Sequence, residues 1–330
     1  PHVHGYQPYT GIPELRQAFA DWYKRYYGGE LSPEEILPLI GSKEGILHIS
    51  LTFLNVGDGV LVPNPGYPTY TSVSALMRAN IIPYDLREDD HWQPDFEALE
   101  KMDLSGVKLM WVNYPNMPTG ANASRELFEK LVAFGKKHQI IICHDNPYSF
   151  ILNDRPMSIL SVHGAKDICI ELNSMSKAHN MPGWRMGMLA SNTQFVKWIL
   201  REKSNIDSGQ FKPLQIATVA ALSNPPDWYA RMNKLYAERR VIAEKIMDLL
   251  NCTYDKDQTG LFLWAKIDDG ETGSEELIND ILYHANVFIT PGFIFGSNGE
   301  RYIRISLGVA TERMQEAYRR IENYRKNNEQ

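Results

Sequence analysis

Lys177 stands in Ser174-Met175-Ser176-Lys177, directly after the apolar run Ile168-Cys169-Ile170-Glu171-Leu172. Asn180-Met181-Pro182-Gly183 and Arg185 follow. A lysine at a strand exit can hold a carbonyl compound as a Schiff base. A desolvated amine loses its proton readily, and the free amine is the nucleophile. The hydroxyls, the glycine and the arginine around it suit a phosphate on the same compound. The pattern alone does not decide the matter, because most lysines are solvated surface charges.

Two further groups of residues point the same way. Ile140-Ile141-Ile142-Cys143 reads as a strand buried on both faces, and His144-Asp145-Asn146-Pro147-Tyr148 follows it. Ligands of open α/β sheets bind beyond the carboxyl ends of strands. An aspartate there can keep a cofactor's ring nitrogen protonated, as one does for pyridoxal phosphate. Tyr148 can donate to a phenolic oxygen of that ring. Asp, Asn and Pro are also ordinary turn residues. Upstream, Gly41-Ser42-Lys43 opens a stretch of helical spacing over 46–54. Such a start either leaves backbone N–H groups for an anion or is a plain helix terminus capped by Ser42. The Gly-Lys-Ser/Thr ending of a nucleotide P-loop is missing.

These pieces occur in one order with Pro65-Gly66-Tyr67-Pro68, Pro118-Thr119-Gly120 and Arg304-Ile305-Ser306. Together they resemble the fold-type I, pyridoxal-phosphate-dependent aminotransferases of class I/II, the aspartate aminotransferase family. The resemblance runs along almost the whole chain, and the combination is far more specific than any of its parts. It implies that Lys177 is the Schiff-base lysine for pyridoxal 5'-phosphate. It makes Asp145 the partner of the pyridine nitrogen and Tyr148 the partner of O3′. Ser42, Ser174 and Arg185 become phosphate ligands, joined at the Gly41 turn by the backbone N–H of Lys43. Tyr67 stacks on the cofactor, and Tyr6 reaches the phosphate of the neighbouring subunit in a homodimer. Arg304 forks onto the substrate α-carboxylate, a task for a planar guanidinium.

One position departs from the family. Asn usually precedes Pro-Thr-Gly and contacts O3′ and the substrate carboxylate; here that residue is Met117. A thioether cannot replace an amide donor. Asn116, or Asn113 through a shifted backbone, would take over, and Asn116 is the favoured substitute for both the cofactor and the substrate contact. The chain also begins at Pro1, without the few dozen residues that the family carries before the Tyr6 region. The resemblance implies that a segment contributing to the small domain and to one pocket wall is missing.

The implied reaction is a ping-pong transfer of an amino group from an L-amino acid to a 2-oxo acid. Glutamate and 2-oxoglutarate are the default pair. Aspartate, alanine, aromatic and diaminopimelate-type substrates all remain open. A C–S β-lyase of the same fold shares nearly every site residue. A non-catalytic, pyridoxal-phosphate-binding sensor would carry a DNA-binding domain, and none is visible. A Schiff-base aldolase would leave Asp145, Tyr148, Ser42 and Arg185 without purpose. Ser174-x-x-Lys177 also matches the Ser-x-x-Lys of β-lactamases, whose companion motifs are absent.

The elements that must position these residues are those of an α/β enzyme. Short β-type runs at 60–62, 81–82, 109–112, 140–143 and 168–172 alternate with helical segments. The first helix spans 13–27, with Leu15, Phe19, Trp22 and Tyr26 on one face. The expected architecture is a three-layer α/β/α large domain with a mostly parallel sheet over 1–224, and a smaller α+β domain over 225–330. Ser223-Asn224-Pro225-Pro226-Asp227 is the linker, and a helix over 228–250 joins the two. Strands at 262–265 and 302–306 and a last helix over 312–324 complete the small domain, before a frayed polar tail.

The 330 residues can bury a large core, and a net charge of −6 argues against nucleic acid as a partner. Three cysteines lack metal-ligand spacing and fit a reduced, cytoplasmic setting. No apolar run is long enough to span a membrane. His2, His4, His48 and His163 are scattered, so no metal site is expected. His144 should point to the side of its strand opposite Asp145. Arg319, Arg320, Arg325 and Lys326 read as a solvated helix face.

Overall fold

The computed structural model describes residues 3–270 and 273–328; His2 lies outside them. The apolar runs become strands of one seven-stranded sheet. In chain order they are β1 (Ile36–Leu39), β2 (Gly59–Asn64), β3 (Asn80–Asp85), β4 (Val107–Asn113), β5 (Ile141–Asp145), β6 (Cys169–Ser174) and β7 (Gly187–Ala190). Their spatial order is β1-β7-β6-β5-β4-β2-β3. β2 to β6 pair in parallel, and β7 runs against both of its neighbours.

Helices cover both faces, which is why the central strands are apolar without alternation. Successive side chains of β4 enter different cores. Met110 and Val112 pack with the helices Pro13–Tyr27 and Arg125–His138. Leu109 and Trp111 pack with Ile46 and Ile49 of the helix Ser42–Phe53 and with Tyr70 of the helix Pro68–Leu76. A second, three-stranded antiparallel sheet holds β8 (Phe262–Lys266), β10 (Tyr302–Ser306) and β9 (Thr290–Pro291), in that order. The helix Pro226–Leu249 joins the two layers. Its Tyr229 packs in the first core, while Ala243, Ile246 and Met247 pack under the small sheet.

The sequence reading missed β1 and β7. Each has four residues, too few to show a periodicity, and each is defined by its pairing. The last helix also runs further than expected, over Thr311–Asn328. Ion pairs one turn apart, Arg320–Glu316 and Lys326–Glu322, support its polar turns. Among the described residues no helix is long and apolar enough to cross a membrane.

Strand register places the site. Asn113 lies beside Asp145, and Asp145 beside Leu172, so β4 and β5 end together and β6 runs on to Ser174. Behind that edge His144 faces away from the site, as expected from strand alternation. Its Nδ1 lies 2.9 Å from Glu171 Oε2, and both residues are fully buried. Glu171 also accepts from Tyr23 Oη (2.6 Å), Ser158 Oγ (2.8 Å) and Ile159 N (3.0 Å). This network ties β5 and β6 to the first helix. Glu171→Ala should strand these donors and destabilise the protein by about 3–5 kcal/mol, which urea unfolding would measure. A loss within error of zero would mean that the network adds nothing to stability.

Candidate active site

The ends of β4, β5 and β6 open on a cavity of about 390 Å³. Lys177, Asp145, Tyr148, Ser42, Lys43, Tyr67, Ser174, Arg185 and Arg304 all line it, although the chain separates them by up to 262 positions (304 − 42). Ser176, Tyr70, Asn113, Met117 and Phe262 complete much of the wall.

One end of the cavity is cationic and rich in hydroxyls. Ser174 ends β6, and its Oγ accepts from Ser176 N at 3.1 Å, which starts the short turn that carries Lys177. Gly41 precedes the helix Ser42–Phe53 and supplies no side-chain cap, so first-turn N–H groups remain for a ligand. It has φ +79°, and an added Cβ would lie 2.4 Å from Arg185 Nη2. Only glycine suits both demands. Arg185 is held above it by bonds to Pro182 O (2.9 Å) and Ile40 O (3.2 Å).

Asp145 forms the opposite wall. Its Oδ2 accepts from Tyr70 Oη at 3.0 Å, while its Oδ1 is buried without a protein partner. Tyr70 stacks on Trp111 with ring centroids 5.0 Å apart, and Tyr67 meets Tyr70 edge-on at 5.6 Å. Tyr70 was not read from the sequence as a site residue. Its only signal was its position three residues after Tyr67, one helical turn away.

Arg304 projects from the middle of β10. Its Cζ lies 4.1 Å from the centroid of Phe262 and 4.6 Å from that of Phe295. Nη1 donates to Met117 Sδ at 3.3 Å, and Nε is buried without a partner.

Asn116, expected to contact both cofactor and substrate, does not line the cavity, and its amide bonds within its own turn. Nδ2 donates to Asn113 O (3.1 Å), and Oδ1 accepts from Thr119 N (3.2 Å) and Thr119 Oγ1 (2.8 Å). Met117 and Asn113 take the cavity wall instead. Asn113 is itself committed, donating to Asp145 O at 2.7 Å and accepting from Met117 N at 2.7 Å. Tyr6 is 92% exposed and lies apart from the cavity, beside residues 208–211. Among the described residues no cluster of His, Cys, Asp or Glu could hold a metal.

Burial and charge tune the titrating groups. Burial pushes the Asp145 carboxyl up to about 6, against the opposing Tyr70 hydrogen bond. Lys177 is pulled below the usual lysine range by burial first, then by the charges of Arg304 and Arg185. Burial lowers Arg304 to about 10. The arrangement holds an amine that can be neutral, two anion-binding ends and one carboxylate open to a cation.

The raised Asp145 pKa has a sign. The native state favours the neutral acid, a stabilisation present below about 3.8 and lost as pH rises through about 6. Asp145→Asn does not titrate, so between pH 4 and pH 7.5 the stability gap should shift in its favour by roughly 2–3 kcal/mol. Urea unfolding at pH 4 and pH 7.5, without added small molecules, would test this. An equal gap at both pH values would show that Asp145 does not titrate there.

Comparison with known proteins agrees with this geometry. The model of the aminotransferase class I and II family matches residues 1–321. The LL-diaminopimelate aminotransferases of Nitratidesulfovibrio vulgaris and Aquifex aeolicus are each 40% identical, over 98% of this chain and 84% of theirs. Among solved structures, BacF from Bacillus subtilis in its apo form superposes with a TM-score of 0.93 at 37% identity, over 98% of this chain and 87% of that one. A probable N-succinyldiaminopimelate aminotransferase from Thermus thermophilus gives 0.90 at 30% identity, over 98% and 87%. An aminotransferase from Staphylococcus aureus gives 0.90 at 29%, over 98% and 86%. Family match, relatives and site together establish that this chain belongs to the aminotransferase class I and II family and is a transaminase.

Proposed function

We propose that the cavity holds pyridoxal 5'-phosphate, the cofactor on which this family generally depends, and that the chain moves the amino group of an L-amino acid to a 2-oxo acid. The observation that carries this is the bare Asp145 Oδ1. A buried carboxylate oxygen without a protein donor fits a cationic ring N–H. Ser42, Ser174, Ser176, Arg185 and the N–H of Lys43 would hold the phosphate beside Gly41. Tyr67 would cover the ring, and Tyr148 would meet its phenolic oxygen. When bound, the cofactor supplies an electron sink for the bond broken at the substrate Cα.

The remaining work belongs to the chain. Lys177 Nζ is the anchoring amine. As a free amine it would be the base that takes the proton from the substrate Cα. Its lowered pKa makes the neutral amine available nearer neutral pH. Arg304 orients the substrate through its α-carboxylate, and Asp145 keeps the ring nitrogen protonated. The second 2-oxo acid meets the same groups in reverse order.

The donor we propose carries a second carboxylate, as LL-diaminopimelate does. Two observations support it: the names of the relatives at 40% identity, and Lys43, whose Nζ lies over the Tyr67 ring at 5.9 Å. We also propose a homodimer, in which the exposed Tyr6 of one subunit reaches the phosphate of its neighbour. The large and small domains divide near residue 225.

Adding pyridoxal phosphate should produce a visible absorption band that Lys177→Ala lacks, and that variant should lose at least about 10²-fold in transamination. Asp145→Ala should keep the cofactor and lose the proton transfer; near-normal turnover would remove its assigned role. LL-diaminopimelate with 2-oxoglutarate should yield glutamate, and Lys43→Ala should raise KM for this donor more than for L-alanine. Pyruvate and ammonia formed without an oxo-acid acceptor would instead indicate lyase chemistry.

A further inference from the structure

β2 ends at Asn64, and the chain then turns through Pro65 and Gly66 to Tyr67 in the cavity wall. Against this turn lies the segment 292–299, which joins β9 to β10 and carries Phe295. Reciprocal hydrogen bonds join the two. Asn64 Nδ2 donates to Ser297 Oγ (2.9 Å), and Asn298 N donates to Asn64 Oδ1 (3.2 Å). Asn298 Nδ2 donates to Asn64 O (3.1 Å) and to Asp85 Oδ1 (2.9 Å), and Asp85 Oδ1 also accepts from Asn64 Nδ2 (3.2 Å). Gly66 N donates to Phe295 O at 2.8 Å. Gly296 has φ +134°, and a Cβ there would stand 2.2 Å from Asn64 Oδ1, so the close approach requires glycine.

Neither Asn64 nor Asn298 lines the cavity. What they hold does reach it. Phe295 is one of the two rings under the Arg304 guanidinium. That guanidinium has no ion pair among the described residues, one hydrogen bond to a thioether, and a buried Nε without a partner. Sulfur is a weak acceptor. The Arg304 guanidinium therefore rests largely on ring contacts, and Phe295 is held by its edge-on packing against Trp264, by the Gly66 N bond to its carbonyl and by the Asn64–Asn298 bonds on its segment.

We propose that the Asn64–Asn298 interlock is a positioning device for the substrate carboxylate: it fixes Phe295, and through it Arg304, against the wall that carries Tyr67. The inference rests on Arg304 being the carboxylate-binding group. Both asparagines are only partly buried, so their bonds can exchange with water.

The test uses protein loaded with pyridoxal phosphate and titrated by calorimetry with glutarate, which has carboxylates and no reactive group. Asn64→Ala and Asn298→Ala should each weaken glutarate about tenfold. KM for the amino donor should rise in parallel while kcat stays within about twofold. Cofactor affinity and the visible band should not change, whereas a general loss of structure would move both. Should either variant fail to fold, Ser297→Ala removes one bond and should weaken glutarate about threefold. Arg304→Lys separates the two readings. Unchanged glutarate binding in Arg304→Lys would overturn the carboxylate role of Arg304. Loss in Arg304→Lys, with unchanged binding in the folded asparagine or serine variants, would overturn the interlock alone.

Discussion

Asp145 is held at the end of a parallel strand with one oxygen bonded to Tyr70 and the other bare. Burying a carboxylate in that state is costly, and burial pushes its pKa up to about 6. The surroundings can hold such a group because the backbone beneath it is fixed. Asn113 bonds its carbonyl, β4 and β6 flank it, and Trp111 backs the tyrosine that serves its other oxygen. A cation seated against Oδ1 would remove the cost. The site is thus strained toward a ligand, and its polar groups are arranged around that one demand.

Arg304 presents the complementary problem, a partly buried cation that forms no ion pair among the described residues. Aromatic faces and a thioether stabilise it only partly, which leaves its donors available to a carboxylate. Met117 matters here for what it does not do. An amide at this position could compete for the guanidinium or share the incoming carboxylate; the thioether does neither well. On the reading proposed above, recognition of the substrate α-carboxylate then falls on Arg304 and on what holds it in place.

Much of the site was legible because its residues sit at element boundaries. Asp145 ends an apolar run, Ser174 and Lys177 follow another, and Gly41 opens a helix. Such boundaries are written in local composition. Tyr70 lies inside a helix and Phe262 opens a strand, where an aromatic residue looks the same whether it packs or binds, so they escaped notice. Residues 113 and 116 are equivalent by type, so composition could not choose between them. Only the turn decides between them, and it spends the Asn116 amide on Asn113 and Thr119.

Apolar periodicity and boundary residues by themselves determined the α/β architecture, the helix over 13–27, and an ordered set of groups able to serve a Schiff-base chemistry. Tertiary structure alone decided three other matters. It paired β1 with β7, strands too short to announce themselves. It left one oxygen of Asp145 bare while satisfying the other. It brought Arg304 into the same cavity as Lys177, 127 positions away (304 − 177). The reason is physical. Secondary structure responds to neighbours within a turn or a strand, whereas hydrogen-bond satisfaction and burial depend on segments that meet only after the chain has folded.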